Sequence, residues 1–397
     1  MVRRNGVRWV WALLSACLAA CHSASAPLGQ DAYVWQRQWN SSVVTALGQS
    51  ADLVRDWRVL AAQTDARGQL RPVATDRAAL AATHRPVILV FRIEGQLVQW
   101  DEDALLAQIQ ALRDSWRGYP LAGIEIDHDC GTARLPAYAH FLGRLRQALG
   151  GLQLSITALP AWLSSGDLDK VIAQADEVIL QVHAVQSPRA GLFDDALARV
   201  WIDRFAARSS KPFRVALPNY GTRVAWDSDG RVVAVQSESP VLVGGMEASE
   251  LAASPAKVAT LLSALRSDRP KGLSGIVWFR LPTPQDERAW SLPTWRAVMT
   301  GLPLTNRLAA LFQDGAVPGM VDVILRNDGD VDIGLPHGIQ LPVGCTVADG
   351  VNGYALSSRN GQLFLQRSQD GWLRAHRQRA VGWARCGTGK ALPVIAP

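Results

Sequence analysis

Gly123-Ile124-Glu125-Ile126-Asp127-His128-Asp129 places a carboxylate at every second position from Glu125 onward, with Ile124 and Ile126 between. Side chains along a strand alternate between its two faces. As a strand, this run turns the isoleucines to one face and Gly123, Glu125, Asp127 and Asp129 to the other. Isoleucines suit the layer beneath covering helices, which leaves the acids pointing into a barrel. Residues two apart lie roughly 6.6–7 Å apart at Cα, and like charges that close raise each other's pKa. Barrel interiors otherwise favour Val, Ile and Leu, so packing gives no reason for three acids, whereas an active site at the C-terminal mouth does. The structural alternative pairs Glu125 with a buried arginine, Arg92, Arg214 or Arg280, and has Asp127 cap a loop.

Outward from this strand the chain repeats one pattern. Strand-like runs at 32–39, 57–63, 86–93, 122–127, 152–159, 177–185, 213–219 and 273–281 are separated mostly by amphipathic stretches. Residues 104–116 put Leu105, Leu106, Ile109 and Leu112 on one face, and 137–149, 196–207 and 257–265 repeat that spacing. Alternating strands and helices imply an α/β fold with a parallel sheet. Eight units over this length predict a (β/α)8 TIM-type barrel at 31–300. A doubly wound sheet is the alternative, weakened because no Gly-rich phosphate loop follows the first strand. After 301 the texture changes to short strand-like runs separated by turn signals such as Asn327-Asp328-Gly329. This predicts a linker at 301–319 and a small all-β domain at 320–397.

The chain has 397 residues, 48% hydrophobic and 19% charged, which excludes a disordered or collagen-like protein. Its net charge of +6 owes three positives to Arg3, Arg4 and Arg8, and no basic block points to nucleic acid. That basic start, the apolar run 10–20 and Leu18-Ala19-Ala20-Cys21 read as a lipoprotein signal at 1–20, with Cys21 lipidated and a tether at 21–30. With His22 rather than Asp next, the expected location is the outer membrane facing the periplasm. Export implies an oxidising compartment. Cys345 and Cys386 are expected to pair, leaving Cys130 free and buried or half-buried.

Parallel strands bring further groups to the same rim. Glu94 ends strand three and is the second carboxylate on a different strand. Paired carboxyls in glycosidases stand about 5–5.5 or 6.5–9.5 Å apart, and Asp129 with Glu94 suits either spacing. Gln181 and His183 share a face of strand six, Asn219 and Tyr220 end strand seven, and Trp278 and Arg280 share a face of strand eight. Trp162, after strand five, is a candidate sugar platform. Asp127-His128-Asp129 contains metal-ligand types, but alternation turns His128 away, so neither metal nor cofactor is expected. No nucleophile elbow is present.

Gly123–Asp129 resembles the fourth-strand signature of the chitinase-type family 18 glycoside hydrolases, Gly-hydrophobic-Asp-hydrophobic-Asp-aromatic-Glu. On that pattern Glu125 takes the first acid position, Asp127 the one that orients the substrate, and Asp129 the general acid. The first acid is Glu instead of Asp, and the last is Asp instead of Glu. The family's strand-eight aromatic beneath the sugar corresponds to Trp278, and His183 stands where the family has Tyr. Over about 31–300 the chain also resembles an uncharacterised bacterial family, domain of unknown function 3142, through Tyr33-Val34-Trp35-Gln36-Arg37-Gln38-Trp39, Gly123–Cys130 and Ala158-Leu159-Pro160-Ala161-Trp162. That resemblance implies an exported barrel and supplies no reaction.

Three functional readings follow. The first is a lipid-anchored glycoside-hydrolase-like barrel acting on an envelope or extracellular glycan. Asp129 is then the general acid, Asp127 and Glu125 support it, and His183, Gln181, Glu94, Trp162, Trp278, Asn219, Tyr220 and Arg280 bind substrate. The second is a non-catalytic glycan-binding or envelope-assembly lipoprotein on the same barrel. In the third, the C-terminal domain docks a partner protein.

Overall fold

The eight apolar runs fold as parallel strands because amphipathic stretches return the chain over their outer faces. The computed structural model describes residues 27–95, 97, 101–183, 191–226, 232–236, 247–387 and 391–396. The leader and Cys21 lie outside the described residues. The barrel strands are β1 (Gly29–Val34), β2 (Trp57–Thr64), β3 (Val87–Ile93), β4 (Leu121–His128), β5 (Gln153–Ala158), β6 (Glu177–Gln181), β7 (Phe213–Pro218) and β8 (Leu273–Phe279). Each pairs in parallel with its successor, and β8 closes the ring on β1, with Trp278 opposite Ala32. This is the (β/α)8 barrel expected from the sequence, followed by small antiparallel sheets.

The covering helices are α1 (Ser41–Ser50), α2 (Arg77–Ala82), α3 (Glu102–Asp114), α4 (Leu135–Ala148), α5 (Leu168–Gln174), α6 (Asp195–Arg208), α7 (Pro255–Ser267) and α8 (Leu292–Thr300). Their starts are written in the sequence. Asn40, Asp76, Asp101 and Asp194 accept from backbone N–H groups of the first turns they cap, and α7 and α8 begin with proline in the first turn. Leu105, Leu106 and Ile109 of α3 are buried in the core cluster that also holds Leu89, Phe91 and Ile93 of β3.

Two regions depart from the sequence reading. A three-stranded antiparallel insertion (221–226, 232–236 and 247–252) lies between β7 and α7. Val232-Val233-Ala234-Val235 carried a β-branched signal for it. The expected linker contains the strand Leu308–Asp314, paired along its whole length with Val321–Asn327. Its Leu308–Phe312 run is too apolar to stay unpaired.

In the C-terminal domain, 308–314, 321–327, 378–386 and 345–350 form one antiparallel sheet, and 354–359, 362–367, 338–340 and 394–396 another. Cys345 and Cys386 are disulfide-bonded. Asn360 and Gly361 both have positive φ, 51° and 77°, as the two-residue turn of a tight hairpin requires. The domain grips the loop between β8 and α8. Asp332 accepts from the Ser291 N–H at 2.7 Å and hydroxyl at 2.8 Å. Arg374 donates to the carbonyls of Asp286 (3.0 Å), Glu287 (2.9 Å) and Ala289.

Candidate active site at the barrel mouth

The barrel interior is layered. At the N-terminal end, Arg58 of β2 donates to Asp31 at 3.0 Å, to Glu177 at 2.9 Å and to Glu125. Arg214 donates to the other Glu177 oxygen at 2.9 Å, and Tyr33 donates to Glu125 at 2.5 Å. Gly275 makes room for Arg214, since a Cβ there would collide with the guanidinium. Burial pushes the Glu125 carboxyl up, whereas Arg58 and Arg214 hold Glu177 down against its own burial. Glu125 is fully buried. It does not belong among the catalytic groups, because it is neutralised in a sealed layer out of a ligand's reach. Its partner is Arg58, whose place between Trp57 and Val59 was the overlooked signal of a charge inside an apolar strand. Above this layer Tyr33, Leu60, Val90, Ile179, Ala216 and Val277 form an apolar plug.

The mouth lies above the plug. Asp127 of β4 accepts from Arg92 of β3 at 2.7 Å and from Thr157 of β5 at 2.8 Å. Asp129, just past the end of β4, has a side chain 32% exposed. One of its oxygens lies 3.4 Å from Arg92, and the other accepts no hydrogen bond from the described residues. Arg92 also lies 3.5 Å from Glu94, which accepts from Gln63 at 2.6 Å. One guanidinium thus joins three carboxylates from two strands. Burial, and next the Asp127 charge, push the Asp129 carboxyl up to about 7, with Arg92 working against them. Gly95 allows this approach, because a Cβ there would strike the Asp129 carbonyl.

Aromatic rings complete the rim. Phe279 of β8 meets Trp35 edge-on at 5.2 Å, and His183 stacks on Phe279 at 5.4 Å. Tyr220 packs edge-on against both His183 and Phe279. Gln181 contacts the His183 ring at 3.3 Å, and the other ring nitrogen faces the Ala216 carbonyl at 3.2 Å. Burial drives the His183 pKa down to about 4, so the ring is neutral at pH 7. Asp127, Asp129, Glu94, Gln181, His183 and Tyr220 are therefore brought to one mouth.

Several expected site residues lie elsewhere. Trp278 points outward, fully buried against Trp290 and Trp295, with its indole N–H on Gln30. The inward aromatic of β8 is Phe279. Trp162 is fully buried, donating to the Cys130 carbonyl at 2.8 Å, and offers no sugar platform. Arg280 is buried against Asp286 and lies over the Tyr220 ring at 5.7 Å. Asn219 is buried and donates to the Arg280 carbonyl. These two shape the wall behind Tyr220. His128 turns away from its acidic neighbours toward the Ile93 carbonyl and Tyr138. Cys130 is buried, and burial raises its thiol pKa to about 11.

Residues 83–284, just over half of the chain, match the family described as Domain of unknown function (DUF3142). The chain belongs to this family. In this DUF3142 member a second match, Domain of unknown function (DUF8456), covers residues 311–387. No curated protein matches the chain. Among solved structures, a chitinase from Chromobacterium violaceum is 15% identical with a TM-score of 0.50, covering 70% of this chain and 100% of its own. The spore cortex-lytic enzymes SleL of Bacillus cereus and Bacillus megaterium are 15% and 13% identical, each with a TM-score of 0.50 over 70% of this chain and 75% of theirs. At such identity the likeness is one of fold, a glycoside-hydrolase-like barrel.

Proposed function

We propose that this DUF3142 chain hydrolyses a glycan of the cell envelope or its surroundings, with Asp129 as general acid. The observation that carries this reading is the Asp129 carboxyl, half-buried at the mouth with a pKa near 7. A glycosidase acid must hold its proton at working pH, and burial beside a second carboxylate is how one is kept protonated. Asp127, fixed by Arg92 and Thr157, sustains that proton and faces the cationic centre that develops as the glycosidic bond breaks. Phe279 and Tyr220 supply flat apolar faces for the sugar, backed by the buried Trp35, and Gln181, held by the buried His183, contacts its polar substituents. Glu94 is the second carboxylate. The proton passes from Asp129 to the leaving oxygen as the glycosidic bond breaks, and a water molecule adds to the anomeric carbon, giving its proton to Glu94.

The chitinase and spore cortex-lytic enzymes among the structural neighbours support a glycan of amino sugars as the first substrate to try. The lipoprotein-like leader supports the further reading that a lipid on Cys21 anchors the protein to the membrane, facing the periplasm. Asp129→Asn, with its circular dichroism unchanged, is expected to lose at least about 100-fold in turnover of chitin oligosaccharides or peptidoglycan strands. In the wild type the rate should fall as pH rises through about 7, where Asp129 gives up its proton. Unchanged turnover in the variant would sink the assignment.

One observation favours a second reading, a barrel that binds glycan without cleaving it. Both Asp127 oxygens are already engaged within the protein. Calorimetric binding of a glycan with no product at high protein loading would select it.

A further inference from the structure

Beside the mouth, the loops after β1 and β8 enclose a cavity of about 320 Å³ lined in part by Gln36, Arg37, Asn40, Arg280, Gln285 and Asp286. We propose that this cavity is a second glycosyl subsite, taking a neutral, hydroxyl-rich sugar unit of the same chain whose linkage lies at Asp129. The inference rests on the hydrolase reading and extends it, since it makes the substrate an oligomer or polymer.

Three observations carry it. The first is position. The cavity opens on the C-terminal rim, where barrel enzymes meet their ligands, and a line of polar contacts joins it to the acid. Arg37 donates to Gln63 at 2.9 Å, Gln63 to Glu94 at 2.6 Å, and Glu94 lies 3.5 Å from Arg92.

The second is chemistry. The Arg280 charge is matched by Asp286 at the cavity wall, the Arg37 guanidinium is engaged by Gln63, and the remaining lining is rich in amides. An amide donates and accepts, as a sugar hydroxyl does, whereas an anionic ligand would call for donors alone. Gln36 donates to the Leu281 carbonyl at 2.8 Å, while its buried side-chain oxygen accepts nothing from the described residues. A hydroxyl donor is what that oxygen lacks.

The third is preorganisation. Asn40 caps α1 with its oxygen and donates to Gln285 at 2.8 Å with its nitrogen, tying the two loops together. The volume is at the small end of ligand pockets, about 300–1,000 Å³, which suits one sugar unit and not a long chain.

The test is calorimetric titration of the full chain with chitobiose and chitohexaose, in the Asp129→Asn background so that the ligand is bound without being cleaved. With the subsite intact, this parent chain should bind the hexamer at least tenfold more tightly than the dimer. Gln285 is exposed, so Gln285→Ala leaves the core untouched. It should cut that ratio at least threefold, and Gln36→Leu with Gln285→Ala should bring it near one. A tenfold preference that survives in a folded double variant would overturn the subsite alone. Equal binding of dimer and hexamer by the parent Asp129→Asn chain would do the same. No binding of either oligomer would remove the amino-sugar reading together with the subsite that depends on it.

Discussion

Asp129 and His183 carry charge rules that pull in opposite directions. For Asp129 the folded pKa, about 7, lies above the ordinary carboxylate value of 3.8. The folded state therefore holds a proton that the unfolded chain releases, and stability declines as pH rises from about 4 to 7. Asp129→Asn removes this penalty. Thermal melts should show the variant a few degrees more stable than the wild type at pH 8 and little different at pH 4. An equal gain at both values would mean that the carboxyl is not held protonated. His183, lowered from 6.5 to about 4, works the other way, its contribution being present above 6.5 and lost as pH falls toward 4. The inward turn of Asp127 and Asp129 was legible because Ile124 and Ile126 leave one phase for the strand. That Glu125 could pair with a buried arginine was legible as the structural alternative, but the partners were not, since Arg58 and Tyr33 stand in strands whose apolar content hid them.

Strand β8 marks the limit of alternation as a guide. Val277-Trp278-Phe279 is apolar on both faces, so period two offers two phases, and the polar Ser274 and Arg280 on the Trp278 phase favour the wrong one. The structure chooses through Gly275, the one position on the strand that Arg214 crosses. Gly275 faces inward, so Val277 and Phe279 do too, and Trp278 goes to the helices. The two aromatics should then respond differently to truncation. Trp278→Ala should cost about 3–5 kcal/mol in urea unfolding, as for a fully buried indole, and leave any change in glycan affinity secondary to that loss. Phe279→Ala, at a half-buried rim position, should weaken glycan binding severalfold with a smaller stability cost. The reverse pattern would restore Trp278 as the floor of the site.

Across the whole molecule, repetition made the barrel readable, since eight units must close to bury their sheet. What escaped was irregular. The insertion after β7 and the strand at 308–314 interrupt or follow the repeat, and the grip of one domain on the other depends on side chains distant in sequence. Arg374 is central to that grip, because its guanidinium holds three carbonyls of the loop that carries Asp286, and Asp286 holds Arg280 behind Tyr220. Arg374→Met should speed amide exchange in residues 282–291 severalfold while the barrel strands keep their protection, as hydrogen-exchange mass spectrometry can read. Unaltered exchange there would mean that the domains merely touch. The charged layer also closes the end of the barrel at which β1 starts, at Gly29. The proposed lipid on Cys21, only a few residues ahead of Gly29 in sequence, would hold the protein by that closed end. At roughly 3.3–3.6 Å per residue, so short a leash would aim the opening away from the bilayer, toward the polymer meshwork beyond.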